Sequence, residues 1–385
     1  MSHKYDSMKI AINTTSAVAG GGVTYIKNLL TYLSKINTNH QYLVLTTPAG
    51  KEVFYFQHPN FKFLSFRIPS KNSLLRILWE QLNLPFILKK EGVDVLFSPG
   101  NICPLFSTIP NVVMIQNLAP FDDAIIDAER KFQKYRLKLL KILTIASIKR
   151  SKKIIFISKK ALHDMKTLGL SLQHACLIYH GKNEDLFHIN INEDKKQQTL
   201  NKYNLKEFIL YVSNIHRYKN FFELIKAFSL ICSKIDTEIK LVLAGRCFDN
   251  GYYHEMIRFI REKGLEKRIL FLGEVPYDEL PFHYASCKLF VYPSTCENCP
   301  NILIEAMACG APILASDVEP MPEICADAAI YFDTTNPVAI ADIILKALKD
   351  QNLISQLKIN SFKRARDFSW KNAVEKTLSV FESVK

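Results

Sequence analysis

A chain of 385 residues that is 48% hydrophobic, with ordinary glycine and proline content, is long enough for two domains and apolar enough to fill their cores, which excludes a disordered or fibrous protein. The net charge of +13 points to anionic partners, and no run approaches the ~20 uncharged apolar residues of a membrane-spanning helix. Met1 to Met8 carries no apolar signal region, and the nine cysteines are scattered without framework spacing, so a cytoplasmic setting with reduced thiols is expected.

Short apolar runs alternate with helix-like stretches along the chain. In the first half the expected strands are 9–12, 42–46, 95–97, 112–115 and 154–157. In the second half they are 208–212, 240–243, 269–271, 289–292, 312–315 and 329–332. Helical patterns between most of them make the fold class α/β, with a doubly wound parallel sheet in each half. The polar stretch 191–199 is the expected linker.

Between the first strand and a helix starting near Val23 stand Gly20, Gly21 and Gly22. A glycine loop at a helix start lets backbone N–H groups approach a diphosphate or an acceptor closely. The G-x-G-x-x-G spacing of a dinucleotide site is absent. Further on, the segment from Arg130 to Lys153 mixes lysines and arginines, among them Lys134, Lys138 and Lys141, with Leu137, Leu140, Ile145 and Ile148. It reads as a basic amphipathic helix that either lies on an anionic membrane face or packs its apolar stripe into the core. The basic residues lack aromatic interleaving for base stacking and no nucleic-acid motif occurs, so no nucleic-acid partner is expected.

The densest signal runs from Ser294 to Gly310. It reads as a polar loop feeding a short helix with Pro300 at its first position, an apolar face of Ile302, Leu303, Ala306 and Met307, and Gly310 as a left-handed cap. Glu297 then lies in the loop and Glu305 in the helix, one turn after Asn301, so the two carboxylates are expected to point the same way. Free N–H groups at the helix start attract phosphate, and the carboxylates suit hydroxyls. The pattern asks for a ligand with both phosphate and polyol parts. Cys296 and Cys299, with Cys309 nearby, offer half of a zinc site, but no second pair follows at suitable spacing and no Asp-x-Asp occurs. No metal site is expected.

The run from Glu297 to Glu305 resembles the Glu-x7-Glu signature of the retaining glycosyltransferases of family 4 (group 1). Tyr211 to Asn220, Leu243 to Arg246, Phe271 to Glu274, Ser316-Asp317 and Pro322 to Ile324 fall in that family's order. The resemblance is strong over about residues 205–335 and looser over 8–190. It implies the GT-B fold: two Rossmann-like domains facing a cleft, an acceptor-binding domain over 8–190, a nucleotide-sugar domain over 200–366, and a closing segment 367–385 whose helix crosses back to the first domain. It implies that Glu305 holds a ribose, Glu297 the donor sugar, and Asn298, Cys299, Pro300 and Asn301 the neighbouring backbone contacts. Ser213 and Asn214 would join the donor site. Lys219, with Arg217 sharing the role, would offset diphosphate charge, and Gly20 to Gly22 would line the cleft. Relatives often carry His-Asp where this chain has Gln116 and Asn117. These amides can still hydrogen-bond sugar hydroxyls but cannot act as bases near neutral pH.

The expected activity is transfer of a sugar from a nucleotide-diphosphate sugar to a glycan or lipid-linked acceptor in surface polysaccharide synthesis. No cofactor is expected, and the chain is expected in the cytoplasm, either free or peripheral on the inner membrane face. Two alternatives stay open: a sugar-nucleotide epimerase of the same fold, and a carbohydrate-binding relative without turnover.

Overall fold

The apolar runs fold as parallel strands of two sheets, each strand hydrogen-bonded to its neighbours. The computed structural model describes residues 7–384 except 19, 37, 38, 70, 71 and 129. The chain divides into one unit of residues 1–181 with 370–385, and a second of residues 182–369.

The first unit holds β1 (Lys9–Asn13), β2 (Gln41–Thr46), β3 (Phe61–Ser65), β4 (Val95–Ser98), β5 (Asn111–Ile115), β6 (Lys153–Phe156) and β7 (Ala175–Leu177), in the order β3-β2-β1-β4-β5-β6-β7. The second holds β8 (Glu207–Val212), β9 (Ile239–Ala244), β10 (Ile269–Gly273), β11 (Leu289–Tyr292), β12 (Ile313–Ser316) and β13 (Ala329–Phe332), in the order β10-β9-β8-β11-β12-β13. Ile10, Ala11, Leu96, Val113, Leu210, Phe290 and Leu314 in the central strands are fully buried, because helices cover both faces of each sheet. The expected strands all form. β3 and β7 were not expected: both are edge strands, β3 half-exposed and carrying Lys62, β7 only three residues long. Edges lack the continuous apolar run that marks a central strand.

The polar stretch 191–199 is not a linker. Asn192 caps the helix Glu193–Lys202, its side chain accepting from Lys195 N, and the helix lies inside the second unit. The units part instead at Gly181 and Lys182, and again before Trp370. The last helix, Trp370–Glu382, belongs to the first unit. Trp370 packs against Tyr25 and His180, with ring centroids 5.7 and 5.3 Å apart, and Phe381 meets Phe97 at 5.0 Å.

The basic segment forms the helix Lys131–Arg150. Leu137, Thr144, Ser147 and Ile148 are buried, while Phe132, Tyr135, Leu139 and Ile142 are exposed. Two aromatics do therefore stand among the lysines. Among the described residues no helix is long and apolar enough to cross a membrane.

Each strand order reverses once, between β1 and β4 and between β8 and β11. Loops leaving the carboxyl ends of the two strands at such a switch point diverge and open a crevice.

Candidate functional site

At the β8/β11 switch point the loop after β8 carries Lys219 and the loop after β11 carries Glu297. The loops are stitched together. Thr295 N and Oγ1 both donate to Tyr218 O at 3.0 Å, and Asn220 Nδ2 donates to Pro293 O at 2.9 Å. Asn220 sits at φ 52, a left-handed conformation that asparagine tolerates, and begins the helix Phe221–Ile231. Across this seam Lys219 Nζ pairs with Glu297 Oε1, and Tyr292 OH, at the end of β11, donates to the same oxygen. Lys219 is 9% exposed, so the pair is shielded from bulk water. Lys219 and Glu297, expected to serve different parts of a ligand, are thus each other's partner.

Glu305 stands on the helix Asn301–Ala308. Pro300 takes the cap position one residue earlier than expected, with its carbonyl accepting from Leu303 N at 3.0 Å. Gly310, at φ 70, ends the helix: its N–H donates to Met307 O, and Ala311 N donates to Ala306 O, both at 3.0 Å. The left-handed cap expected at Gly310 forms, closed by two hydrogen bonds. Glu305 is 5% exposed and has no ion-pair partner among the described residues. Tyr277 OH donates to its Oε1 at 2.7 Å. Burial pushes the Glu305 carboxyl up to about 8, against the opposing effect of the Tyr277 hydrogen bond, and burial likewise raises the Tyr277 hydroxyl. The two glutamates therefore differ: Glu297 is held by a cation, Glu305 by a phenol in an apolar setting. Asn298 is 7% exposed, Cys299 half-buried, and Asn301 opens the helix.

Ser213 is buried, its N–H donating to Ala244 O at 2.9 Å, and Asn214 is exposed. Arg217 turns away from the Lys219 pair. Its guanidinium grips Glu255 at 2.7 and 3.2 Å, lies 3.5 Å from Asp249, and stands over the Tyr252 ring at 5.0 Å. The Arg217 hydrogen bond holds the Glu255 carboxyl below its usual range. Beside it, His216 stacks between Tyr218 and Phe248, centroids 5.3 and 5.2 Å apart, an aromatic ladder at the carboxyl ends of β8 and β9.

The first unit's switch point also gathers its candidates. Gly100, after β4, lies so close to the loop after β1 that a Cβ there would stand 2.2 Å from Ser16 Oγ. Asn101 holds the loop after β5: its Oδ1 accepts from Gln116 N and Asn117 N at 2.8 and 3.0 Å, and its Nδ2 donates to Asn117 O at 2.7 Å. The helix after β1 starts at Gly21 rather than near Val23, so Gly20 caps it and Gly21 and Gly22 form its first turn. A Cβ at Gly22 would lie 3.7 Å from Gln116 Oε1. Gly22, Gln116 and Asn117 line one cavity of about 460 Å³, together with Arg76, Arg136 and Thr144.

Two family profiles match the sequence: "Glycosyltransferase Family 4" over residues 19–186 and "Glycosyl transferases group 1" over 192–364. The chain belongs to this family of glycosyltransferases. An O-antigen chain mannosyltransferase B of Escherichia coli is 31% identical over 186 residues, 48% of each chain. A serotype-specific mannosyltransferase of the same species is 28% identical over 240 residues, 62% of this chain and 29% of that one. These matches span half or less of each curated relative's length. Among solved structures, a sucrose-phosphate synthase of Thermosynechococcus elongatus superposes with a TM-score of 0.80 at 18% identity, covering 98% of each chain. That likeness establishes the GT-B fold.

Reading the sequence singled out Lys219, Glu297 and Glu305 but not the side chains that the fold sets beside them. Tyr292 closes an expected strand, and a polar aromatic at a strand's carboxyl end was a usable signal. Tyr277, Asn101 and Arg76 carried none, because their surroundings depend on which elements the sheet order brings together, and Arg136 was legible only as one member of the basic segment.

Proposed function

We propose that the chain is a retaining glycosyltransferase that moves a hexose from a nucleotide-diphosphate sugar to a glycan or lipid-linked acceptor of a surface polysaccharide. The Lys219–Glu297 pair at the β8/β11 switch point, next to the helix that bears Glu305, carries this reading. A ligand with a diphosphate and a sugar replaces one ion pair by two sets of contacts. Lys219 turns to the phosphate, and Glu297, still held by Tyr292, accepts from sugar hydroxyls. Glu305 accepts from the ribose hydroxyls. Asn298, Cys299, Pro300 and Asn301 supply neighbouring backbone contacts, and Ser213 and Asn214 complete the loop after β8.

In the reaction the bond from the anomeric carbon to the diphosphate oxygen breaks. The acceptor oxygen bonds to the same face of that carbon, and the acceptor proton passes to the leaving phosphate oxygen. No side-chain base is needed, so neutral Gln116 and Asn117 suffice as hydroxyl partners. Charge grows on the leaving phosphate, and a preorganised cation there is worth about a hundredfold or more in rate. A cofactor is not needed in this scheme, since Lys219 does the work that a metal does elsewhere. Two further findings support the reading: the relatives named as mannosyltransferases, and the ligands of a structural neighbour, HepE of Anabaena. That protein was solved with UDP and glucose and superposes with a TM-score of 0.76 at 17% identity over 98% of this chain.

The test measures nucleotide release from UDP-glucose and GDP-mannose, with and without glycan acceptors and with EDTA. Acceptor-dependent release that survives EDTA is expected, with the anomeric configuration retained. Binding without release indicates a carbohydrate-binding relative, epimerised donor an epimerase, and loss on chelation a metal-dependent mechanism.

A further inference from the structure

The cavity of the first unit carries charge that hydrogen bonding to sugar hydroxyls does not use. The charged side chains that line it are Arg76 and Arg136, and no carboxylate is among its lining residues. Arg136 Nε donates to Gln133 Oε1 at 2.6 Å and its other arm reaches Ser73 Oγ at 3.3 Å, with no ion-pair partner among the described residues. Arg76 is half of a pair with Glu80, Nε to Oε1 3.3 Å, yet that nitrogen is buried without a hydrogen-bond acceptor. Glu80 is 3% exposed, is not among the lining residues, and accepts from Thr15 Oγ1 at 2.6 Å. Burial raises its pKa against the pull of Arg76, Thr15 and Asn13.

A third observation is independent of the arginines. Thr144 is 1% exposed, its Oγ1 has no hydrogen-bond partner, and it lines this cavity. Arg136, Leu140 and Thr144 recur every fourth residue, so one face of the helix Lys131–Arg150 walls the cavity. Two guanidinium forks, an orphan hydroxyl and the Gln116 amide converge on a space the size of a small ligand.

We propose that this cavity binds the phosphate of the acceptor, gripped by Arg136 and Arg76 with Thr144 as a further donor, so that the acceptor is a phosphorylated sugar. The inference rests on the glycosyltransferase reading and names its acceptor class. Phosphate suits the site because guanidinium forks bind tetrahedral oxyanions through paired charged hydrogen bonds. The phosphate comes either from a free sugar phosphate or from a lipid-linked one.

The test uses the full chain, with mannose 1-phosphate as probe, methyl mannoside as its neutral control, and dodecyl phosphate in non-ionic micelles as the lipid arm. Calorimetry should show mannose 1-phosphate binding at least about tenfold tighter than methyl mannoside. Arg136→Gln should cost about ten- to a hundredfold in that affinity, Arg136→Lys less, and neither should alter UDP binding. Thr144→Val should weaken the phosphate probe alone, and serves if Arg136→Gln fails to fold. Dodecyl phosphate binding more tightly than mannose 1-phosphate assigns a lipid-linked source, and weaker binding a free one. Equal affinity for charged and neutral probes, indifference to Arg136→Gln, or displacement of mannose 1-phosphate by UDP would overturn the proposal. Failure of UDP and donor sugars to bind the wild type would instead sink the transferase reading, whatever the phosphate probe does.

Discussion

Replacing Glu305 by glutamine should make the second unit more stable at neutral pH while weakening its grip on nucleotide. Glu305 is 5% exposed and its carboxyl is raised from 4.5 to about 8 by burial. A carboxyl raised on folding destabilises the native state wherever the unfolded chain would ionise. The penalty is absent below about pH 4.5, grows as pH rises, and levels off above pH 8. At pH 7 the unfolded group has lost its proton over about 2.5 pH units that the folded group resists, which at 1.36 kcal/mol per unit is about 3 kcal/mol. Glutamine is nearly isosteric with the neutral acid and can still accept from Tyr277 OH, so the variant escapes most of that penalty. Urea unfolding at pH 4.5, 7 and 8.5, followed by circular dichroism, measures it. Trp79 and Trp370 both lie in the first unit, so tryptophan fluorescence tracks that unit separately. The variant should match the wild type at pH 4.5 and exceed it by up to about 3 kcal/mol at pH 7. At pH 8.5, where the wild-type carboxyl is ionised, nucleotide affinity should fall about ten- to a hundredfold, since a charged hydrogen bond to ribose hydroxyls is worth roughly 1.5–3 kcal/mol. Wild-type nucleotide affinity should rise between pH 6 and 8, because the ribose needs the ionised carboxylate. A variant less stable than the wild type at pH 7, with an unchanged pH profile, would refute the reasoning.

Lys219→Ala should leave Glu297 shielded without its cation, lowering stability by about 3–5 kcal/mol and turnover by about a hundredfold or more. Adding Glu297→Gln should restore the unfolding midpoint but not the rate, and a single variant with normal midpoint and rate would show the pair to be idle. Arg217→Ala should change nucleotide affinity less than about threefold, because that guanidinium is committed to Glu255 and Asp249; a loss as large as that of Lys219→Ala in a binding titration would return Arg217 to the donor site. The exposed Phe132, Tyr135, Leu139 and Ile142, with the lysines around them, should bind vesicles of anionic lipid at low salt and release them at high salt. Reversing Lys134, Lys138 and Lys141 to glutamate should abolish co-sedimentation and spare nucleotide binding, whereas a wild type that ignores such vesicles would leave the stripe without a membrane role.

Whatever local periodicity and local backbone chemistry specify was legible along the chain. Unbroken apolar runs marked the central strands, because strands buried on both faces have no polar positions to interrupt them. The polar loop, the helix bearing Glu305 and the Gly310 cap were legible for the same reason: each is specified within a few residues. Which distant groups meet was not legible and follows from the order of the strands in each sheet. Lys219 and Glu297 stand 78 residues apart, and nothing near either marks the other as its partner; the β8/β11 adjacency brings them together. The same holds for Tyr277 with Glu305, and for Arg76 with Arg136 around one cavity. The stretch 191–199 misled for a converse reason: its polar residues suit a solvated helix as well as a linker, and only the fold shows the Asn192 cap in use. Strand order is set by the packing of whole sheets and helices, a global balance that local spacing does not encode, and the site is assembled from contacts that this order creates.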